Sequence, residues 1–162
     1  MTAVADILKS KSDNTVHAIA PGDSVLDALQ RMAEKRIGAL LVMEGETIVG
    51  IVTERDYARK IALLGRTSAA TLVRDVMTAD VMYVRPTQTS QECMALMTEN
   101  RLRHLPVVDG ARLVGLISIG DLVKDIISEQ QFIIEQLVWC LKSNHQIMVL
   151  AARATDAKMV SA

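Results

Sequence analysis

Apolar positions along the chain fall into short bursts of two kinds. Gly38-Ala39-Leu40-Leu41-Val42-Met43 and Ile48-Val49-Gly50-Ile51-Val52 have the length and content of buried strands, and Glu44-Gly45-Glu46 between them reads as a turn. Upstream, Val25, Leu29, Met32 and Ala33 recur at helical spacing behind Ser24, a good N-cap residue. A short extended piece, Val16 to Ala20, comes before that helix and stops at Pro21, which cannot continue a central strand. A second helix opens after Thr53 and runs through Tyr57 to Leu64. The order is β-α-β-β-α.

The same order returns at an offset of 65 residues, the distance from Pro21 to Pro86. Met32 then meets Met97, Arg36 meets Arg101, Gly45 meets Gly110, Gly50 meets Gly115 and Asp56 meets Asp121. No gap is needed between Val16 and Tyr57 or between Val81 and Leu122. In the second copy the extended piece is Val81 to Arg85, the N-cap is Thr89, and Met94, Met97 and Leu102 carry the helical face. The strands are His104 to Val108 and Leu113 to Ile117, joined at Asp109-Gly110, a strong hairpin signal. Farther upstream Asp6-Ile7-Leu8 matches Asp75-Val76-Met77, but the first copy carries four extra residues near Lys11-Ser12-Asp13-Asn14, a polar loop.

One copy is too small to bury both faces of its sheet. The expected fold is therefore of the α+β class: two β-α-β-β-α repeats packed sheet to sheet with pseudo-twofold symmetry, plus a C-terminal helix. We divide the chain as 1–68 for the first repeat, 69–128 for the second, and 129–162 for a C-terminal helix and tail. Residues 121 to 142 read as one helix with a stripe of Leu122, Ile126, Ile133, Leu137 and Leu141, widened by Val123, Ile127, Ile134 and Val138. That surface exceeds what one small module needs and predicts a partner. Beyond Lys142 the pattern supports a disordered tail, an added packing helix or sequence foreign to the module equally well.

Half of the 162 residues are hydrophobic but only 2% are aromatic, so the core is aliphatic, with Met32, Met94 and Met97 as fillers. A net charge of -1 gives no general pull toward nucleic acid or an anionic membrane, and scarce aromatics leave few stacking platforms for bases. No apolar run approaches the roughly 20 residues of a membrane span, and the charged N-terminus does not read as a secretory leader. Cys93 and Cys140 read as buried thiols in a reducing compartment, so a cytoplasmic location is expected.

Candidate chemistry sits where the second strand of each copy meets a helix: Thr53-Glu54-Arg55-Asp56 and Ser118-Ile119-Gly120-Asp121. A hydroxyl three residues before a carboxylate is a common helix cap. The same pair can also hold a ligand, because helix amides suit phosphate and a carboxylate can accept from both hydroxyls of a ribose. Its recurrence in both copies favours the second reading. Nucleophile elbow, phosphate loop and metal-spaced His/Cys motifs are all missing from the sequence, which argues against an enzyme and against a metal site. His104 can equally be a structural histidine, and Arg101, Lys35 and Arg36 solvated cations at helix ends. His17 and His145 stand alone.

Taken together the motifs resemble the cystathionine-β-synthase (CBS) domain family, whose members occur as tandem pairs. The residues that carry the resemblance are Asp75-Val76-Met77-Thr78, Val84-x-Pro86, Arg103-His104-Leu105-Pro106-Val107-Val108-Asp109 and Leu113-Val114-Gly115-Leu116-Ile117-Ser118-x-x-Asp121. A looser version, Gly50-Ile51-Val52-Thr53-x-x-Asp56, closes the first copy. The resemblance implies regulatory binding of adenosyl ligands (AMP, ADP, ATP, NAD(H) or S-adenosylmethionine) in clefts between the copies. It implies that Asp56 and Asp121 take ribose, with Thr53 and Ser118 beside them. It also implies that Val16-His17 and Val81-Met82 flank adenine.

On that basis one cleft is expected to comprise Val81, Met82, Arg103, His104, Leu105, Pro106, Ser118 and Asp121, and the other Val16, His17, Gly38, Ala39, Thr53, Arg55 and Asp56. Arg103 and His104, where the first copy has Gly38 and Ala39, make the former cleft the expected site of AMP. The latter is expected to take a second AMP or a longer ligand such as NAD(H). A homodimer and an unknown effector protein are the expected partners, with no nucleic acid and no membrane. The rival reading is a constitutive interaction scaffold with degenerate clefts.

Overall fold

The structure, a computed structural model, describes residues 2–159, with side chains described through Ser143. Helix α1 (Val4–Ser10) leads into strand β1 (Ala18–Ile19), α2 (Val25–Lys35), β2 (Ala39–Glu44) and β3 (Thr47–Thr53). Helix α3 (Glu54–Tyr57) continues as a π-helical turn over Ala58–Ala62. After a 3₁₀ turn at Val73–Asp75 come α4 (Ser90–Glu99), β4 (His104–Asp109), β5 (Arg112–Ser118) and α5 (Ile119–Met159).

The duplication holds down to single bonds. Ser24 with Asp27 and Thr89 with Glu92 form reciprocal capping boxes at the starts of α2 and α4. Arg36 and Arg101 follow those helices in the left-handed region, both at φ 54°. Strands β2 and β3 pair antiparallel with an irregularity between Val42 and Met43, and β4 and β5 repeat it between Val107 and Val108.

The extended pieces are shorter than the sequence implies. β1 runs parallel to β2 for two residues, and its counterpart is a lone bridge between Val84 and Val107. The Leu41 amide donates to the His17 carbonyl at 3.3 Å. Its equivalent in the second copy is Pro106, which has no N–H to give, so the pairing ends sooner there.

Strand alternation turns Leu40, Val42 and Val52 to one side of the first sheet and Leu105, Val107 and Ile117 to one side of the second. These two sets head two separate buried clusters. Leu41, on the opposite face, is also fully buried, so both faces of that sheet are covered.

The clusters are completed by exchange between copies. Val4, Ile7 and Leu8 of α1 pack into the cluster of the second sheet, and Val73 and Val76 into that of the first. Each leader is tied by equivalent amide bonds: Val4 and Ala5 to the carbonyls of Gln88 and Pro86, Val73 and Arg74 to those of Asp23 and Pro21. The exchange explains one conserved pair of the repeat. A Cβ at Gly50 would stand 2.5 Å from Met77 Sδ and 3.1 Å from the Thr78 carbonyl, and one at Gly115 would stand 2.8 Å from Leu8. Only glycine lets the exchanged leaders lie this close.

Helix α5 extends well past Lys142, where the sequence left the structure open, and continues to Met159. Leu122 is buried at its start, whereas Ile127, Phe132, Ile134, Leu137, Trp139 and Leu141 are exposed. Cys93 is buried as expected, but Cys140 is exposed. The correction has a simple cause: at Cys140 the helix has already left the body of the module. No helix among the described residues is long and apolar enough to cross a membrane.

Candidate functional site

Both Ser/Thr–Asp boxes form as helix caps, and capping and binding are compatible. Asp56 Oδ2 accepts from the Thr53 amide at 3.0 Å and the Thr53 hydroxyl at 2.7 Å. Asp121 Oδ2 accepts from the Ser118 amide and hydroxyl, each at 2.8 Å. The cap thus fixes the carboxylate through Oδ2 and leaves Oδ1 outside the box. In the first copy Asp56 Oδ1 meets Lys60 Nζ at 2.8 Å.

Each box opens onto a cavity built by both copies. The first, of about 460 Å³, is lined by Thr53, Glu54, Arg55, Asp56, Arg59 and Lys60 from the end of the first repeat. Its opposite wall is Asp80, Val81, Met82, Arg101 and Arg103. Arg55 spans it, donating to the Arg101 carbonyl at 3.0 Å. The second cavity, of about 410 Å³, sets Ser118 and Asp121 against His17, Lys35, Arg36, Gly38 and Ala39, with Lys11 at its edge. Both volumes fall in the range of small-molecule sites. Gly38 and His104 line both cavities.

This arrangement regroups the residues singled out by the sequence. Thr53, Arg55 and Asp56 face Val81, Met82 and Arg103, not their own copy's Val16 and His17. Ser118 and Asp121 face His17, Gly38 and Ala39. The exchanged leaders are the reason, since each copy's box is brought against the other copy's first extended piece. Arg103 therefore leaves the Asp121 cleft, and the AMP preference assigned there on its account loses that support. Val16 lines neither cavity. Leu105 is fully buried in the second cluster, and Pro106 is buried outside both cavities.

Several lining residues had no role in the sequence reading. Arg59 and Lys60 lie one helical turn beyond Arg55 and Asp56, a spacing that could have marked them as a shared face. Arg101, Lys35 and Arg36, read there as open alternatives, stand at the cavity walls. Lys11 lies in the polar loop of extra residues, and its Nζ donates to Asp121 Oδ2 at 3.0 Å.

Electrostatics follow from these contacts. Burial alone would raise the Asp121 pKa, but the Ser118 amide, the Ser118 hydroxyl and Lys11 outweigh it and hold the carboxyl below its ordinary value. Burial lowers the His104 pKa; Asp121 opposes this, while Arg103 and Lys11 add to it. A neutral imidazole thus stands between the two cavities at neutral pH. The first cavity has five Lys or Arg side chains against three carboxylates, Glu54, Asp56 and Asp80, and so favours an anionic ligand.

The CBS domain family model matches this chain twice, over residues 4–63 and 73–128, one match to each copy of the repeat. The chain belongs to the CBS domain family. Among curated CBS proteins, the mitochondrial CBSX3 of Arabidopsis thaliana is 38% identical over 144 residues, covering 84% of this chain and 70% of that protein. A solved CBS-domain protein from Burkholderia ambifaria superposes with a TM-score of 0.78 at 60% identity, covering 80% of this chain and 96% of that one. CBSX2, solved in complex with AMP, superposes with a TM-score of 0.65 at 26% identity, covering 79% of this chain and 98% of its own.

Proposed function

We propose that this CBS pair is a regulatory module that binds adenosine nucleotides in both clefts and signals to a separate partner protein. The carrying observation is that each cleft sets a Ser/Thr–Asp box of one copy against the first extended piece of the other. The box offers a fixed carboxylate for a ribose diol, and the opposing backbone offers an edge for adenine. CBSX2 binds AMP on the same fold, which supports this class of ligand.

The two clefts differ in charge. Arg55, Arg59, Lys60, Arg101 and Arg103 in the first suit a ligand with more than one phosphate, such as ATP or NAD(H). Lys35 and Arg36 in the second suit a monophosphate, AMP. A ligand bound across both copies favours one relative arrangement of them, to the extent that its affinity differs between arrangements. The exposed apolar surface of α5 supports a homodimer and offers a route to an effector. The two unpaired cysteines fit a reducing compartment, for which we propose the cytoplasm.

Thermal unfolding against AMP, ADP, ATP, NAD(H) and S-adenosylmethionine tests the reading. At 100 times its dissociation constant a ligand adds about 2.7 kcal/mol to the native state. Stabilisation by an adenosyl ligand, reduced in Asp56→Ala or Asp121→Ala, is expected. No stabilisation by any of them, in protein stripped of bound nucleotide, would favour a constitutive scaffold.

A further inference from the structure

The loop that carries the extra residues of the first copy reaches into the second cleft. Lys11 Nζ donates to Asp121 Oδ2 and to the Leu116 carbonyl, both at 3.0 Å. The two side chains are only 24% and 23% exposed, so water screens the pair poorly. Asp13, Asn14 and Thr15 of the same loop line the cavity beside it.

The first cleft has no equivalent cation. When Leu8 is matched with Met77, the position of Lys11 falls on Asp80, which lines the first cavity. The sign of the charge at this place is therefore opposite in the two clefts. Asp56 does meet a lysine, but Lys60 sits on its own helix, one turn away, and binds Oδ1. Lys11 comes from 110 residues away in sequence, just past the end of α1 and outside the helix whose capping box Asp121 completes.

We propose that Lys11 is a tethered occupant of the second cleft, neutralising the carboxylate of Asp121 that a ribose diol would use and so lowering that cleft's affinity for nucleotide. The inference rests on the nucleotide reading above. Lys11 shares Oδ2 with the two Ser118 donors and leaves Oδ1 open, but its ammonium charge, 3.0 Å away and poorly screened, weakens the pull of the whole carboxylate on a ligand hydroxyl. A ligand must displace Lys11 or accept a weaker contact. The second cleft then fills only at higher nucleotide concentration than the first.

Calorimetric titration with AMP, in an Asp56→Ala background that silences the first cleft, isolates the second. Lys11→Met keeps the aliphatic stem and removes the charge, and should tighten AMP binding there about tenfold, the scale of one charge-assisted hydrogen bond. Lys11→Arg should leave binding weak. With Asp56 restored, ATP affinity at the first cleft should be the same in Lys11→Met and wild type, which also reports an intact fold. Unchanged or weaker AMP binding in Lys11→Met would overturn the proposal, weaker binding making Lys11 a ligand contact instead. If neither wild type nor Lys11→Met binds AMP or ATP in any background, the nucleotide reading itself falls, and this inference with it.

Discussion

His104 stands in the wall shared by the two clefts, and its environment fixes the sign of a pH effect. Burial lowers its pKa in the folded protein, helped by Arg103 and Lys11 and opposed by Asp121. The unfolded chain takes up a proton near the ordinary value of about 6.5, and the folded chain only at lower pH. Stability carried by the neutral imidazole is thus present above about pH 6.5 and is lost as pH falls through the folded value. Urea denaturation at pH 7.5 and pH 5.5 should show a larger loss for wild type than for His104→Gln. Asp27, Glu92 and Asp121 are held below the usual carboxylate range, the first two chiefly by their capping partners and Asp121 by Ser118 and Lys11 against the opposing effect of burial. Their contribution is present above the unfolded value and lost only below about pH 4, which keeps the two windows apart. Equal pH sensitivity of wild type and His104→Gln would place the titration elsewhere.

At the scale of elements, the exchange of leaders decides how the clefts are composed. Gly50→Ala should cost about 1–3 kcal/mol, because the added Cβ meets the Thr78 backbone as well as Met77. Gly115→Ala should cost less, since Leu8 offers a side chain that can turn away. Chemical denaturation of both variants checks the order. Much of this level was legible in the sequence: periodicity, the repeat offset, the caps at Ser24 and Thr89, and the hairpin turns all reflect local chemistry. The pairing of each box with the opposite copy was not. An internal repeat shows that two surfaces are equivalent, not which of them meet. Lys11 was hidden for a related reason, since a loop without a counterpart in the repeat has no pattern to read. Cys140 was misjudged because helix periodicity does not tell where a helix leaves its module.

For the whole molecule, α5 carries the association claim. Val123, Ile127, Ile134, Leu137 and Leu141 are exposed at successive spacings of four, seven, three and four, which keeps them on one heptad-spaced seam suited to a paired helix. Ile134→Glu combined with Leu137→Glu should convert a dimer to a monomer in sedimentation equilibrium while leaving nucleotide stabilisation intact. A monomeric wild type would remove the homodimer. The central claim concerns the clefts between copies, and a double-mutant cycle on nucleotide affinity tests it most directly. ATP binding would be titrated in Asp56→Ala, Arg103→Ala and the double variant, and in the matching set with Asp121→Ala. If the clefts are built across the copies, Arg103→Ala is strongly non-additive with Asp56→Ala and additive with Asp121→Ala. Coupling of Arg103 to Asp121 and not to Asp56 would contradict the account.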